Sequence, residues 1–106
     1  MVFSPDGQTF FSGSEDGTIR QWDMSSGRVI QQLTGHTELV MAIAISPDGT
    51  MLASGAGIWG ESTDTAVRLW DVHTGMEVRR LSGHTDMVTR LVFSLDGQTL
   101  LSTSNE

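Results

Sequence analysis

GHTELVMAIAISPDGTMLASGAGIWGESTDTAVRLWD, residues 35–71, is the stretch whose reading decides the fold. It opens on Gly35-His36 and continues through an apolar run from Val40 to Ile45. A turn at Ser46-Pro47-Asp48-Gly49 leads to a second short run, Met51 to Ser54, and a third, Ala66 to Asp71, closes on Trp70-Asp71. Everything on either side of this unit is a partial copy of it.

Self-comparison fixes the copies. Ser4-Pro5-Asp6-Gly7 recurs as Ser46-Pro47-Asp48-Gly49 after 42 residues and as Ser94-Leu95-Asp96-Gly97 after a further 48. Trp22-Asp23 recurs at Trp70-Asp71, and Gly35-His36 at Gly83-His84, both 48 apart. The intrinsic period is therefore 42, and the middle copy carries six extra residues, Gly57-Ile58-Trp59-Gly60-Glu61-Ser62. A repeat that tolerates an insertion at that point has a surface loop there.

Within each copy the signals are those of strands: short runs of Val, Ile, Leu, Phe and Thr between Asp-Gly or Ser-Gly turns. First strands are expected at Met1–Ser4, Val40–Ser46 and Val88–Ser94, and second strands at Thr9–Ser12, Met51–Ser54 and Thr99–Ser102. Third strands follow at Thr18–Asp23 and Ala66–Asp71, and fourth strands at Val29–Leu33 and Glu77–Leu81. No segment holds a 3.6-residue period over ten residues, so helix is expected to be negligible. By equivalence Phe3, Ile45 and Phe93 are expected in the core.

Bulk composition narrows the function classes. Thirteen acidic residues against six arginines, with no lysine, leave a formal charge of −7, which disfavours nucleic acid and anionic membrane as partners. Cysteine is absent, which removes disulfides and thiolate chemistry and suits the cytoplasm. No basic segment followed by a signal-length apolar stretch is seen at the start. The longest apolar run, Leu39 to Ile45, is seven residues, far short of the roughly 20 of a membrane-spanning helix.

Gly-His, Ser-Pro-Asp-Gly and Trp-Asp recurring in register on this period resemble the WD40-repeat family of β-propellers over essentially the whole chain. The resemblance implies an all-β fold, with four antiparallel strands per blade and the blades set radially about a channel. On that reading residues 1–34 are an incomplete first blade, 35–82 a complete blade, and 83–106 the first two strands of a third. Ten strands make a partial propeller, so the remaining blades would come from a longer chain or from further copies.

The resemblance also implies a buried hydrogen-bonded tetrad per blade, formed by His36, Ser54, Asp64 and Trp70 in the complete one. Ser12, Asp16 and Trp22 match it in the first copy; His84 and Ser102 match it in the third, where Glu106 stands at the Asp position. In such a tetrad a carboxylate holds one imidazole nitrogen, the other meets the hydroxyl, and the hydroxyl meets the indole donor. Ser, His and Asp are also the residue types of a nucleophilic triad. Recurrence in each copy and the lack of a Gly-x-Ser-x-Gly elbow favour a structural staple, so no catalytic, cofactor or metal residue is assigned. The aspartates Asp6, Asp48 and Asp96 fall one per copy beside glycine, which is turn chemistry rather than metal ligation. His73 stands alone in a turn.

The strongest candidate for partner binding is the insertion. Ile58 and Trp59 would form an apolar tip beside Glu61, and aromatic anchors are typical interface hot spots. The competing reading folds Trp59 back over an edge of the propeller. Glu38, Leu39, Asp86 and Met87, which follow the two Gly-His pairs, would line the same rim. Arg90 replaces Ala42 inside an apolar strand, so it points either to the channel or to a neighbouring blade's carbonyls. A non-catalytic scaffold for a protein or peptide is the leading function. The alternative is a sensor or targeting segment of a longer protein carrying a kinase, protease or nucleotide hydrolase.

Overall fold

The computed structural model describes residues 2–14, 16–36, 39–56, 66–81 and 88–104. Among them there is no helix; the ten strands are β1 (Val2–Phe3), β2 (Thr9–Gly13), β3 (Ile19–Asp23), β4 (Val29–Leu33), β5 (Val40–Ile45), β6 (Met51–Ala56), β7 (Val67–Asp71), β8 (Glu77–Leu81), β9 (Val88–Phe93) and β10 (Leu100–Ser104). Strands pair antiparallel with their chain neighbours into two four-stranded sheets, β1-β2-β3-β4 and β5-β6-β7-β8, and a two-stranded sheet, β9-β10.

The turns explain the meander. Ser46 N–H donates to Met51 O at 2.9 Å and Gly49 N–H to Ser46 O at 2.9 Å, while Asp48 Oδ1 accepts from the Ser46 hydroxyl at 2.7 Å and the Thr50 amide at 3.0 Å. Ser4 to Thr9 and Ser94 to Thr99 repeat this net. Gly49 closes the loop at φ 77°, a left-handed conformation that glycine adopts without a steric penalty. The same turn stacks on its neighbour, since a Cβ on Gly49 would stand 3.3 Å from Pro5 Cδ.

Alternation along each strand gives every sheet two faces. One, here the front, carries the cross-strand rows Phe3–Phe10–Trp22 in the first sheet, Ile45–Leu52–Trp70 in the second and Phe93–Leu100 in the third. The rear carries Val2–Phe11–Gln21, Ala44–Ala53–Leu69 and Val92–Leu101. Phe11, Ile19 and Leu33 on the first sheet form one core with Val40, Leu52 and Trp70, against which Ile43 and Ile45 pack. Ala42, Ala44, Ala53 and Val67 on the second sheet form another with Val88 and Leu91, joined by Phe93 and Leu100. The second and third sheets thus each lay their front on the rear of the one before.

Two expectations are corrected. The second strands run on beyond the serine, to Ala56 and Ser104, because Gly55 and Ala56 still find partners in Ala42 and Val40 across a bulge. Phe3 is not in the core: it is 52% exposed, lying on the front of the first sheet with the Phe10 ring beside it at 5.9 Å. Ile45 and Phe93, its counterparts, are half-buried against the preceding sheets. Arg90 is exposed on the rear of β9, opposite in sense to Leu91 and on the same face as Val92.

Candidate functional site

Ser54 is the centre of the second sheet's polar cluster. Its hydroxyl is fully buried and lies 2.6 Å from His36 Nε2, and it accepts the Trp70 indole N–H at 2.8 Å. His36 is itself buried, its ring 6.3 Å from that of Trp70 and tilted by 59°. Gly35 makes this approach possible: a Cβ there would come within 2.6 Å of Arg68 Nη1 and 2.9 Å of Trp70 Cη2. Arg68, also buried, donates to Glu77 Oε1 at 3.3 Å, and Glu77 Oε2 accepts from Arg80 Nε at 3.0 Å.

The first sheet repeats half of this arrangement. Trp22 Nε1 donates to Ser12 Oγ at 2.9 Å. Asp16 serves its own turn: it accepts from the Ser14 hydroxyl, from Thr18 Oγ1 at 2.6 Å and from the Thr18 amide at 3.0 Å, with Arg20 Nη2 at 3.7 Å. Those donors, the Ser14 hydroxyl foremost, hold its carboxyl well below the usual carboxylate range. Ser102 lies on β10 opposite Leu91. Asp64, His84 and Glu106 lie outside the described residues.

Of the proposed rim, Leu39 is half-buried just ahead of β5 and Arg90 is exposed on β9. Ile58, Trp59, Glu61, Glu38, Asp86 and Met87 lie outside the described residues. A buried hydroxyl already committed to an imidazole and an indole is poorly placed to attack a carbonyl, because a nucleophile must be presented to its substrate. Among the described residues no group of three or more His, Cys, Asp or Glu side chains is arranged to hold a metal ion.

One polar contact between sheets escapes sequence reasoning. Gln31 on β4 donates through Nε2 to Val72 O of the second sheet at 2.9 Å and to Gln21 Oε1 at 3.1 Å, and Gln21 Nε2 reaches Thr9 Oγ1 at 3.2 Å. These residues floor a cleft of about 500 Å³ between the first two Ser-Pro-Asp-Gly turns, walled by Asp6, Asp48 and His73. The only sequence signal is a departure from the repeat: Gln21 and Gln31 stand where the second copy has Leu69 and Arg79.

Comparison with known proteins agrees with these sheets. The profile of the WD domain, G-beta repeat, matches residues 1–23, 27–71 and 75–106. Autophagy-related protein 16 of Arabidopsis thaliana is 38% identical over 56 residues, covering 52% of this chain and 11% of that protein. Protein groucho of Drosophila melanogaster is 40% identical over 55 residues, covering 52% and 8%. A guanine nucleotide-binding protein subunit beta of Schizosaccharomyces pombe is 40% identical over 61 residues, covering 58% and 19%. The matched stretch thus spans under a fifth of each of these relatives. Three repeat matches along nearly the whole chain, on sheets built as four-stranded antiparallel blades, place it in the WD40 repeat family.

Proposed function

We propose that this chain is part of a non-catalytic scaffold that holds a protein or peptide partner on the rim carrying the Gly57–Ser62 insertion. The observation that carries the reading is Ser54: the side chains that most resemble catalytic ones are spent on a buried staple. What remains for function is surface, and the insertion is where the sequence breaks its repeat. The fission-yeast relative is by its name a subunit of a larger assembly, which supports the same class of role. Immobilised parent chain should capture a defined partner that the Trp59→Ala variant loses. Retention of every partner by that variant would remove the rim assignment, and hydrolytic activity abolished by Ser54→Ala would overturn the non-catalytic reading.

A second reading is favoured by the lengths of the relatives, whose matched stretches are between 8% and 19% of the whole. In it these repeats are the sensing or targeting segment of a longer protein whose chemistry lies elsewhere. Sequencing the complete coding region separates the two.

A further inference from the structure

The cleft between the first two Ser-Pro-Asp-Gly turns is walled on both sides by four-stranded sheets of this chain. It lies at the end of the strands remote from Ala56, after which the insertion begins. The two turns touch, Pro5 against Gly49, so Asp6 and Asp48 stand on neighbouring walls. Each carboxylate is bonded through one oxygen. Asp6 Oδ1 accepts from the Ser4 hydroxyl and the Gln8 amide, and Asp48 Oδ1 from the Ser46 hydroxyl and from the Thr50 amide and hydroxyl. Oδ2 of both is left without a donor among the described residues. These bonds, led by the serine hydroxyls, hold both carboxyls below the usual carboxylate range, so both are ionised at neutral pH. The ion pairs of the described residues are made by Asp16 and Glu77 instead, and no arginine is among the residues lining this cleft. Two like charges side by side favour a cation between them.

We propose that this cleft takes an arginine side chain of a protein partner, its guanidinium shared by Asp6 and Asp48. The planar fork of five N–H donors suits carboxylate oxygens offered from two sides. Gln31 adds a third acceptor. Its Nε2 is committed to Gln21 Oε1 and Val72 O, and its Oε1 accepts no bond among the described residues. Ile30, 55% exposed and lining the same cleft, offers apolar surface to the methylene stem, which long cationic side chains lay along such surface. The next seam carries its own cation. Between the second and third sheets Arg79, at the position of Gln31, lines a cleft together with Leu69 and Gly97, the counterparts of Gln21 and Gly49. At the first seam the same place holds an amide, so the acceptors stand there and the guanidinium has to come from outside. The formal charge of −7 draws a basic partner towards it at long range.

Proton–nitrogen NMR of the 106-residue chain, titrated with acetyl-Gly-Arg-Gly amide, tests this. Saturable shifts are expected at the backbone amides of Gln8 and Thr50, which donate to the two carboxylates, and at the side-chain amide of Gln31. The citrulline counterpart of the peptide, equal in shape but uncharged, should leave them in place; this comparison needs no variant. Asp6→Asn and Asp48→Asn, in exposed turns and verified as folded by melting curves, should each weaken binding about two- to fivefold, the range of an exposed ion pair, and together about tenfold. Raising salt to roughly 0.5 M should weaken it as well, by screening. Trp59→Ala should leave the titration unchanged, so this site and the rim stand or fall separately. Equal responses to the arginine and citrulline peptides overturn the proposal. So do shifts that miss Gln8, Thr50 and Gln31, an affinity untouched by both asparagine replacements, or one lost with Trp59→Ala.

Discussion

A Cβ placed on Gly55 would stand 2.6 Å from Cβ of Val88, the first residue of the next sheet's inner strand. Gly13 and Val40 repeat the relation one sheet earlier, at 2.7 Å. Glycine is therefore demanded at Gly13 in β2 and Gly55 in β6 by a neighbour and not by a turn, whereas β10 carries Thr103 at the equivalent position. Gly55→Ala should destabilise the chain by about 1–3 kcal/mol through overpacking, read as a lowered urea midpoint. Adding Val88→Ala to Gly55→Ala should recover part of the loss, and independent, additive effects of the two would contradict the contact.

Removing the Ser54 hydroxyl leaves both an indole donor and an imidazole nitrogen buried without that partner. Ser54→Ala should cost about 1–3 kcal/mol, with a shift in Trp emission as the indole loses its acceptor. Ser12→Ala should cost less, because Ser12 and Trp22 are only half-buried and water can replace the hydroxyl. Equal losses at the two sites, measured by thermal melting, would count against burial as the cause.

Acid should weaken the turns together. Hydrogen bonds from the Ser46 hydroxyl and from the Thr50 amide and hydroxyl lower the Asp48 carboxyl to about 2. Asp6, led by Ser4, and Asp96, led by Ser94, are lowered for the same reason, as is Asp23 by Ser25. A folded pKa below the unfolded value of about 3.9 means that the native chain binds fewer protons, so stability rises with pH across the interval. The contribution is complete above about pH 4 and is lost as the pH falls towards about 2. Denaturation midpoints from pH 6 downwards should be level and then fall, and Asp48→Asn should make the fall shallower. A midpoint that drops already between pH 6 and 5 would point to other groups.

Gln31 ties two sheets through one carbonyl, Val72 O. Gln31→Ala should lower stability by about 1 kcal/mol, the net worth of such a bond. Hydrogen exchange should quicken in the turn from Asp71 to Gly75. Exchange unchanged there would show that the clamp does not restrain the second sheet's turn.

The ten strands were legible because three copies of one pattern align, so that weak local propensities reinforce each other. Their ends were less so: β6 runs on to Ala56 because of a bulge opposite Val40 and Ala42, a matter of register between strands. The Ser54–Trp70 contact joins residues 16 apart and could be named only through resemblance to a family. Phe3 shows the limit of repeat logic, since equivalent positions share a face but not a cover. Gln31 shows another, for its partner lies on a different sheet and neither it nor Gln21 follows the pattern.

The two inner seams differ in calibre. One sets Val2 and Phe11 against Ile45 and Leu52; the other sets Ala44 and Ala53 against Phe93 and Leu100. Bulk removed from the rear of the second sheet is matched by an aromatic ring on the front of the third. The copies are alike in backbone yet are not interchangeable bricks: exchanging two of them would leave a void at one joint and a collision at the other. Side-chain volume at the joints therefore acts as an address, dictating which copy follows which.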